Sequence, residues 1–390
     1  MKKKVTLCFT ALDTWFFRES RPMDAIGAEL GGVFPPPPRT LLGALRTAIG
    51  EAAGVDWRDF RDKTAHPLRA TIGYGDDLGP ITLNSGPWLT QDGERLYPVP
   101  RYLLLAKDKD KTMKFVRLRI GCAVGTHLGR VRLPELPADE QGYKPLEGAW
   151  LTCAGLQKVL AGEMPTHEDL RYAHQLFQEE ARLGIARDNQ RRTAVAGMLH
   201  HTRHLRPRPG LAIEVDVTLA PDTETEQLSG MVRLGGEGRL AHLAVRSPPE
   251  TCLGIPDLAS AKDTQTLIVT LLTPARFQNE GKPDWLPAGF TLHDRTDGIR
   301  VWKGAINGVD LTLHAAILGK AQREGGWDMA RHQPRAVQSF IPAGSSYYFT
   351  VAGDRGGALK KLHNAQIGED QAIGRGLMVC GLCHGNEFTL

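Results

Sequence analysis

Four consecutive prolines, Pro35–Pro38, run straight into the segment 38–52. Proline locks φ near −65° and carries no backbone N–H. Such a run cannot sit inside a hydrogen-bonded ladder, nor beyond the first turn of a helix. It can stiffen the approach to a helix start, where the first N–H groups have no intrahelical partner anyway. A polyproline strut leading into a helix over Pro38–Ala52 is therefore expected. At about 100° per residue, Leu41, Leu42, Ala44, Leu45, Ala48, Ile49 and Ala52 gather on one side. Arg39, Gly43, Arg46 and Gly50 gather on the other. Each interior glycine costs a helix about 1 kcal/mol relative to alanine. The glycines of this bare, basic strip are thus expected to have a packing or a binding reason.

At 390 residues the chain exceeds one ordinary core, and two domains are expected. No apolar run approaches the ~18–20 residues that span a bilayer. The opening "MKKKVTLCFTALDTW" reads as a first strand rather than a signal peptide. Six cysteines form no disulfide framework, which suits a reducing cytosol. Strands are expected at Lys4–Thr10, Val99–Leu105, Lys114–Ile120, Leu211–Leu219, Thr266–Leu272, Tyr347–Val351 and Leu377–Cys380, with "AKDKDKT" (106–112) as a hairpin tip. Thr166–Arg182 reads as a helix, with Thr166 and Asp169 as a capping box and Gly184 as its stop. "RPRPG" at 206–210 reads as a junction, dividing the chain into residues 1–207 and 208–390. Strands and a few helices on both sides of it imply two α+β domains with antiparallel sheets.

Charge is unevenly spread. Residues 181–210 hold seven arginines (182, 187, 191, 192, 203, 206 and 208) and one acid, Asp188. That local +6 exceeds the +4 of the whole chain, so the remainder is net negative. Concentrated guanidinium charge on a neutral body suits a phosphate-bearing partner. Within it, "GIARDNQRRTAVAGML" has strand-like ends around a polar tip and reads as a hairpin. Glycine–arginine clusters at 233–243, 323–334 and 372–381 would let a backbone approach another polymer closely. Tyr347, Tyr348 and Trp327 are assigned to the core rather than to base stacking.

Other chemistries lack their residues. "CGLCH" at 380–384 fits a haem-attachment pattern but lies in an apolar, strand-like run. A zinc site needs a second cysteine pair, and Cys8, Cys122, Cys153 and Cys252 stand apart, so buried free thiols are expected. No phosphate-binding loop or nucleophile elbow appears, and no cofactor or metal is expected.

Four segments together resemble a known family. These are "TWFFRESRPMD" (14–24) with "FPPPPRTLLGALRTAIG" (34–50), "RLGIARDNQRRTAVAGMLHHTRHLRP" (182–207), "GGWDMARHQPRAVQSFIPAGSSYYF" (325–349) and "IGRGLMVCG" (373–381). They resemble, in order, the Cmr-complex subunits that cap the 5′ end of the guide RNA in type III-B CRISPR effector complexes. The resemblance implies a RAMP-superfamily protein with two ferredoxin-like (RRM-like) domains, an arginine-rich hairpin insertion and a C-terminal glycine-rich loop. It implies a cytoplasmic, non-catalytic subunit holding the 5′ tag of the crRNA. Its implied partners are the large polymerase/cyclase subunit and a backbone RAMP subunit, with target RNA met indirectly and no membrane. The RNA contacts it implies are Arg18, Arg21, Arg39, Thr40, Gly43, Arg46, Arg187, Arg191, Arg192, Arg203, Arg206, Gly374, Arg375 and Gly376. Because some RAMP proteins are metal-independent endoribonucleases, the alternative is cleavage with His200 and His204 as acid and base on a helix over 199–205.

Overall fold

In the computed structural model the structure describes residues 2–19, 29–107, 113–137, 142–249, 253–257, 266–278 and 284–383. Two antiparallel sheets carry the chain, making it α+β. The first has eight strands, in the order Leu170–Tyr172, Ala149–Leu151, Glu94–Pro98, Thr82–Gln91, Leu211–Leu219, Lys3–Ala11, Leu240–Arg246 and Gly230–Arg233. The second has six: Thr291–Asp294, Arg300–Ile306, Val309–Ile317, Ser346–Val351, Thr266–Leu271 and Met378–Leu382.

The expected helix spans Pro38–Ala52, with proline in its first turn. Its Leu41, Leu42, Ala44, Leu45, Ala48 and Ile49 pack into one cluster with Val5, Leu7, Phe9 and Val215 of the first sheet. The strands Ser346–Val351, Thr266–Leu271 and Met378–Leu382 of the second sheet are buried on both faces. Leu267, Val269, Tyr347 and Phe349 face a cluster that includes Leu359 and Leu362 of the helix Arg355–Leu362. Their neighbours Ile268, Tyr348 and Val379 face a third cluster with Trp88, Tyr97 and Leu156, which joins the two sheets. Burial of alternate residues on opposite faces makes Thr266–Leu271 a continuous apolar run rather than an alternating one. Among the described residues, no helix is long and apolar enough to cross a membrane.

Two expectations are corrected here. Residues 167–182 are not one helix: a 3₁₀ turn His167–Asp169, a short strand Leu170–Tyr172, one helical turn Ala173–Leu176 and the start of a long strand succeed one another. The local cap signal was sound, since the Asp169 carboxylate accepts from the Thr166 backbone N–H (2.7 Å) and hydroxyl (2.9 Å). What overrode the helix is the partner strand. Phe177–Asp188 gains a ladder along Thr193–Pro207 that no local propensity registers. Gly184, expected as a helix stop, sits inside that ladder opposite His200, where a Cβ would come within 2.3 Å of the imidazole.

The second correction concerns "RPRPG". Leu211–Leu219 directly after it pairs with both Lys3–Ala11 and Thr82–Gln91, in the middle of the first sheet. The segment therefore joins the end of the strand Thr193–Pro207 to the middle of the first sheet, and the chain enters the second sheet at Thr266, not at residue 208. A proline–glycine cluster ends a strand equally well before a tight return or before a new domain. Other bounds shift modestly. Val99–Leu105 becomes Leu103–Lys107, and Lys114–Ile120 divides between Met113–Arg117 and Arg119–Thr126. The tip at 108–112 lies outside the described residues.

Candidate nucleic-acid interface

The arginine-rich segment forms the expected hairpin, longer than the sequence indicated. Phe177–Asp188 and Thr193–Pro207 pair from Phe177↔Pro207 to Asp188↔Thr193, with one slip between Ile185 and Arg187. At the tip the Asp188 carboxylate accepts from the Gln190 and Arg191 backbone N–H groups at 2.9 and 3.1 Å. The root is fixed to the body by reciprocal backbone bonds between Trp15 and Leu205.

Alternation gives the hairpin two unlike faces. On one, Thr202 and His204 are buried. The His204 ring stacks on Phe16 at 4.9 Å, its Nδ1 lies 3.1 Å from the Thr14 hydroxyl, and burial pushes its pKa down. Residues 199–205 are strand, so the helix required by the His200/His204 cleavage reading is absent, and His204 is committed to packing. On the other face Leu183, Ile185 and Leu199 are exposed, with Ile185 directly opposite Leu199.

The arginines divide by height. Near the root, Arg182 and Arg206 grip both Glu180 (2.6 Å each) and Asp13 (3.2 and 2.8 Å), and Arg239 adds to Asp13 at 3.4 Å. The hydrogen bonds from Arg182 and Arg206 hold both carboxyls below their ordinary range. Arg203 faces Glu179 at 3.3 Å. Much of the local +6 is thus compensated by acids lying just upstream or far away in sequence. The distal arginines differ. Arg187, Arg191 and Arg192 are exposed. The Arg191 side chain is 83% exposed, and its ion pair with Asp188 is long, at 3.9 Å. Positive charge therefore concentrates at the tip, beside exposed Val195 and Met198.

The strip on the proline-fronted helix is broken. Arg46 donates to the carbonyls of Gly75 (3.1 Å) and Asp77, and so braces the 75–77 loop. Arg39 lies 3.3 Å from Asp76 and 3.9 Å from Asp370. Thr40 is half-buried. A Cβ on Gly50 would meet the Trp57 ring at 2.4 Å, whereas one on Gly43 meets nothing within 4 Å. The two glycines predict opposite results in chemical denaturation. Gly43→Ala should stabilise by about 1 kcal/mol through helix propensity, and Gly50→Ala should destabilise because Trp57 must move. Equal effects would contradict this packing.

The C-terminal glycine loop is also internal. Gly374 (φ 81°) and Gly376 (φ 71°) approach this chain's own backbone: a Cβ on Gly376 would fall 1.8 Å from the Ile367 carbonyl oxygen. The Leu83 N–H donates to the Ala372 carbonyl at 2.9 Å, so the loop ties the first sheet to the second. Arg375, expected on RNA, is 2% exposed, ion-paired with Glu324 and placed over the Phe340 ring at 4.6 Å. The close approach that the glycines signalled is real, but its partner is the protein. Arg18 is exposed near the hairpin root, its backbone bridged to Gly32, and Arg21 lies outside the described residues.

Two clefts flank these elements. One of about 420 Å³ is lined by Arg39, Arg331, Arg335 and Arg375 against Asp76, Glu324, Asp328 and Asp370, a balanced ionic clamp. The other, of about 650 Å³, lies at the hairpin root between Phe17, Phe34, Trp150 and Phe177, with Arg203 and Glu179 among its lining. Its four rings come from four distant segments, so no sequence window contains it. Tyr347 and Tyr348 are core residues, but Trp327, expected with them, is 54% exposed. Cys8 and Cys380 are buried free thiols, Cys122 is free but exposed, and Cys383 is buried. Cys153 is disulfide-bonded, contrary to the expected free thiol; Cys252 and His384 lie outside the described residues.

A family model described as "CRISPR-associated protein (Cas_Cmr3)" matches residues 7–383. Among solved structures, the chain is similar to one in a type III-B Cmr-beta complex bound to cognate target RNA, at 15% identity, covering 88% of this chain and 86% of that one (TM-score 0.47). It is similar also to one in the same kind of complex with target RNA and AMPPnP, at 16% identity and 89% and 86% coverage (TM-score 0.48). A RAMP protein binding different RNA substrates matches at 6% identity, 97% and 98% coverage and TM-score 0.27. No curated protein matches.

Proposed function

The chain belongs to the Cas_Cmr3 family of CRISPR-associated proteins, and from that premise we propose that it is the subunit of a type III-B effector complex that holds the 5′ tag of the crRNA. In this reading it is non-catalytic and cytoplasmic. It bridges the large polymerase/cyclase subunit to the backbone RAMP subunits and meets target RNA only through the guide. Each sheet with its packed helix is read as one ferredoxin-like unit.

The observation that carries the proposal is the distal hairpin. Arg187, Arg191 and Arg192 are exposed at its tip, next to the exposed aliphatic residues Ile185, Val195, Met198 and Leu199. Guanidiniums beside apolar groups suit a single strand, whose phosphates need charge and whose unstacked bases need apolar cover. The root arginines Arg203 and Arg206, held by carboxylates, act in this reading as supports that orient the hairpin. Arg18, Arg39 and Thr40 flank the path, and the internal Arg46, Gly374, Arg375 and Gly376 leave the contact set.

Purification with its partner subunits and sequencing of the retained RNA tests this. Short RNAs sharing one fixed 5′ sequence are expected. Random RNA, or none, would overturn the proposal.

A further inference from the structure

The exposed tryptophan belongs to a second hairpin, residues 322–340, whose turn lies beside the 75–77 loop. Gln322–Glu324 pairs with Gln338–Phe340, and Trp327–Asp328 with Gln333–Pro334. The Asp328 carboxylate accepts from the Ala330 and Arg331 backbone N–H groups at 2.9 and 3.1 Å, which closes the turn between them.

Both acids of this hairpin are withdrawn from solvent. Glu324 is 7% exposed and paired with Arg375; Asp328 is 3% exposed and 3.2 Å from Arg335. The cationic and imidazole groups remain outside: Lys320, Arg323, Arg331 and His332 are all exposed. Arg331 lies 3.7 Å from Asp76 and 3.9 Å from Asp328, ion-pair separations too long for hydrogen bonds. Strand alternation places Trp327 on the side opposite buried Asp328. The hairpin thus exposes an indole and several cations together with Met329 (67%) and Val337 (53%), and no carboxylate of its own.

We propose that this hairpin is a second contact for single-stranded RNA, with Trp327 stacking on an unpaired base and Arg323 and Arg331 meeting the flanking phosphates. This rests on the RNA-binding reading above and adds a site to it. Stacking together with cationic tracking is how sequence-tolerant single-strand sites hold their ligand. An apolar protein surface is the poorer match, because it would desolvate these cations without compensation.

The seven tryptophans make the test direct, since the other six are buried or half-buried. The full chain is titrated with unstructured oligouridine and oligoadenine, following tryptophan emission and, separately, the anisotropy of labelled oligonucleotide. Emission is expected to fall saturably with binding. Trp327→Phe should remove the emission change and retain affinity within about threefold, and Trp327→Ala should weaken binding about tenfold. Binding by anisotropy without any emission change would overturn this inference and leave the tip-hairpin reading standing. Absence of binding, by the chain and by its assembled complex alike, would overturn both. A change of emission on adding partner subunits but not RNA would reassign the hairpin to protein docking.

Discussion

Arg375→Ala is expected to cost about 3–5 kcal/mol in chemical denaturation at neutral pH, among the largest effects of any single substitution here. The reason is what remains behind. Glu324 is 7% exposed and would keep its charge without a guanidinium partner. Burial already pushes the Glu324 carboxyl above its ordinary range even with Arg375 present. Without the arginine only the Gln322 hydrogen bond (2.7 Å) opposes that upward push, and the sign of the pH dependence follows. A carboxyl whose folded pKa is raised binds more protons when folded than unfolded. The deficit of the variant should therefore be largest at neutral pH and shrink as pH falls through the folded pKa of Glu324. Replacing both partners by apolar residues, Arg375→Met with Glu324→Leu, should recover most of the loss. A deficit under 1 kcal/mol for Arg375→Ala would mean that the loop does not bury the pair. Such a change would also loosen the seam between the sheets, because the same loop carries the bond from Leu83 to Ala372.

The second large effect concerns RNA. Removing Arg187, Arg191 and Arg192 together should weaken single-strand binding about a hundredfold at moderate salt, at ~1 kcal/mol per exposed charge-assisted contact. The slope of log affinity against log salt should also become shallower by roughly 2, because three phosphates go unneutralised. Replacing the same residues by lysine should restore most of that slope while recovering less of the affinity, since the planar fork is lost and the charge kept. Arg182→Ala with Arg206→Ala should behave differently. These side chains hold Asp13 and Glu180, so the expected loss is in hairpin docking and thermal stability, with the salt slope nearly intact. If the root pair moved the slope as much as the tip trio, the division of the hairpin into support and contact would fail.

The contrast between root and tip shows where sequence reading stops. The window of highest charge was legible, and so was the turn at its tip. The compensation was not, because Glu179 and Glu180 lie just before the window and Asp13 lies at the far end of the first strand's exit. The glycines behaved alike in principle. Gly374 and Gly376 signalled a close approach, and positive φ with a carbonyl oxygen 1.8 Å from a Cβ on Gly376 bears that out. Which polymer approached was not written locally. The aromatic cleft had no sequence signal, because Phe17, Phe34, Trp150 and Phe177 meet only through the hairpin root and the first sheet.

By itself the sequence determined what depends on neighbours along the chain. It set the helix behind the four prolines, the strands Leu211–Leu219 and Thr266–Leu271 within a residue of their bounds, and the concentration of arginine in one segment. These follow from φ restriction, side-chain periodicity and composition, which act over a few residues. The tertiary structure decided what depends on distant partners. It turned Thr166–Arg182 from a well-capped helix into part of a long hairpin by supplying a strand to pair with. It also chose which arginines are free to meet a ligand, by placing a carboxylate beside some and solvent beside others.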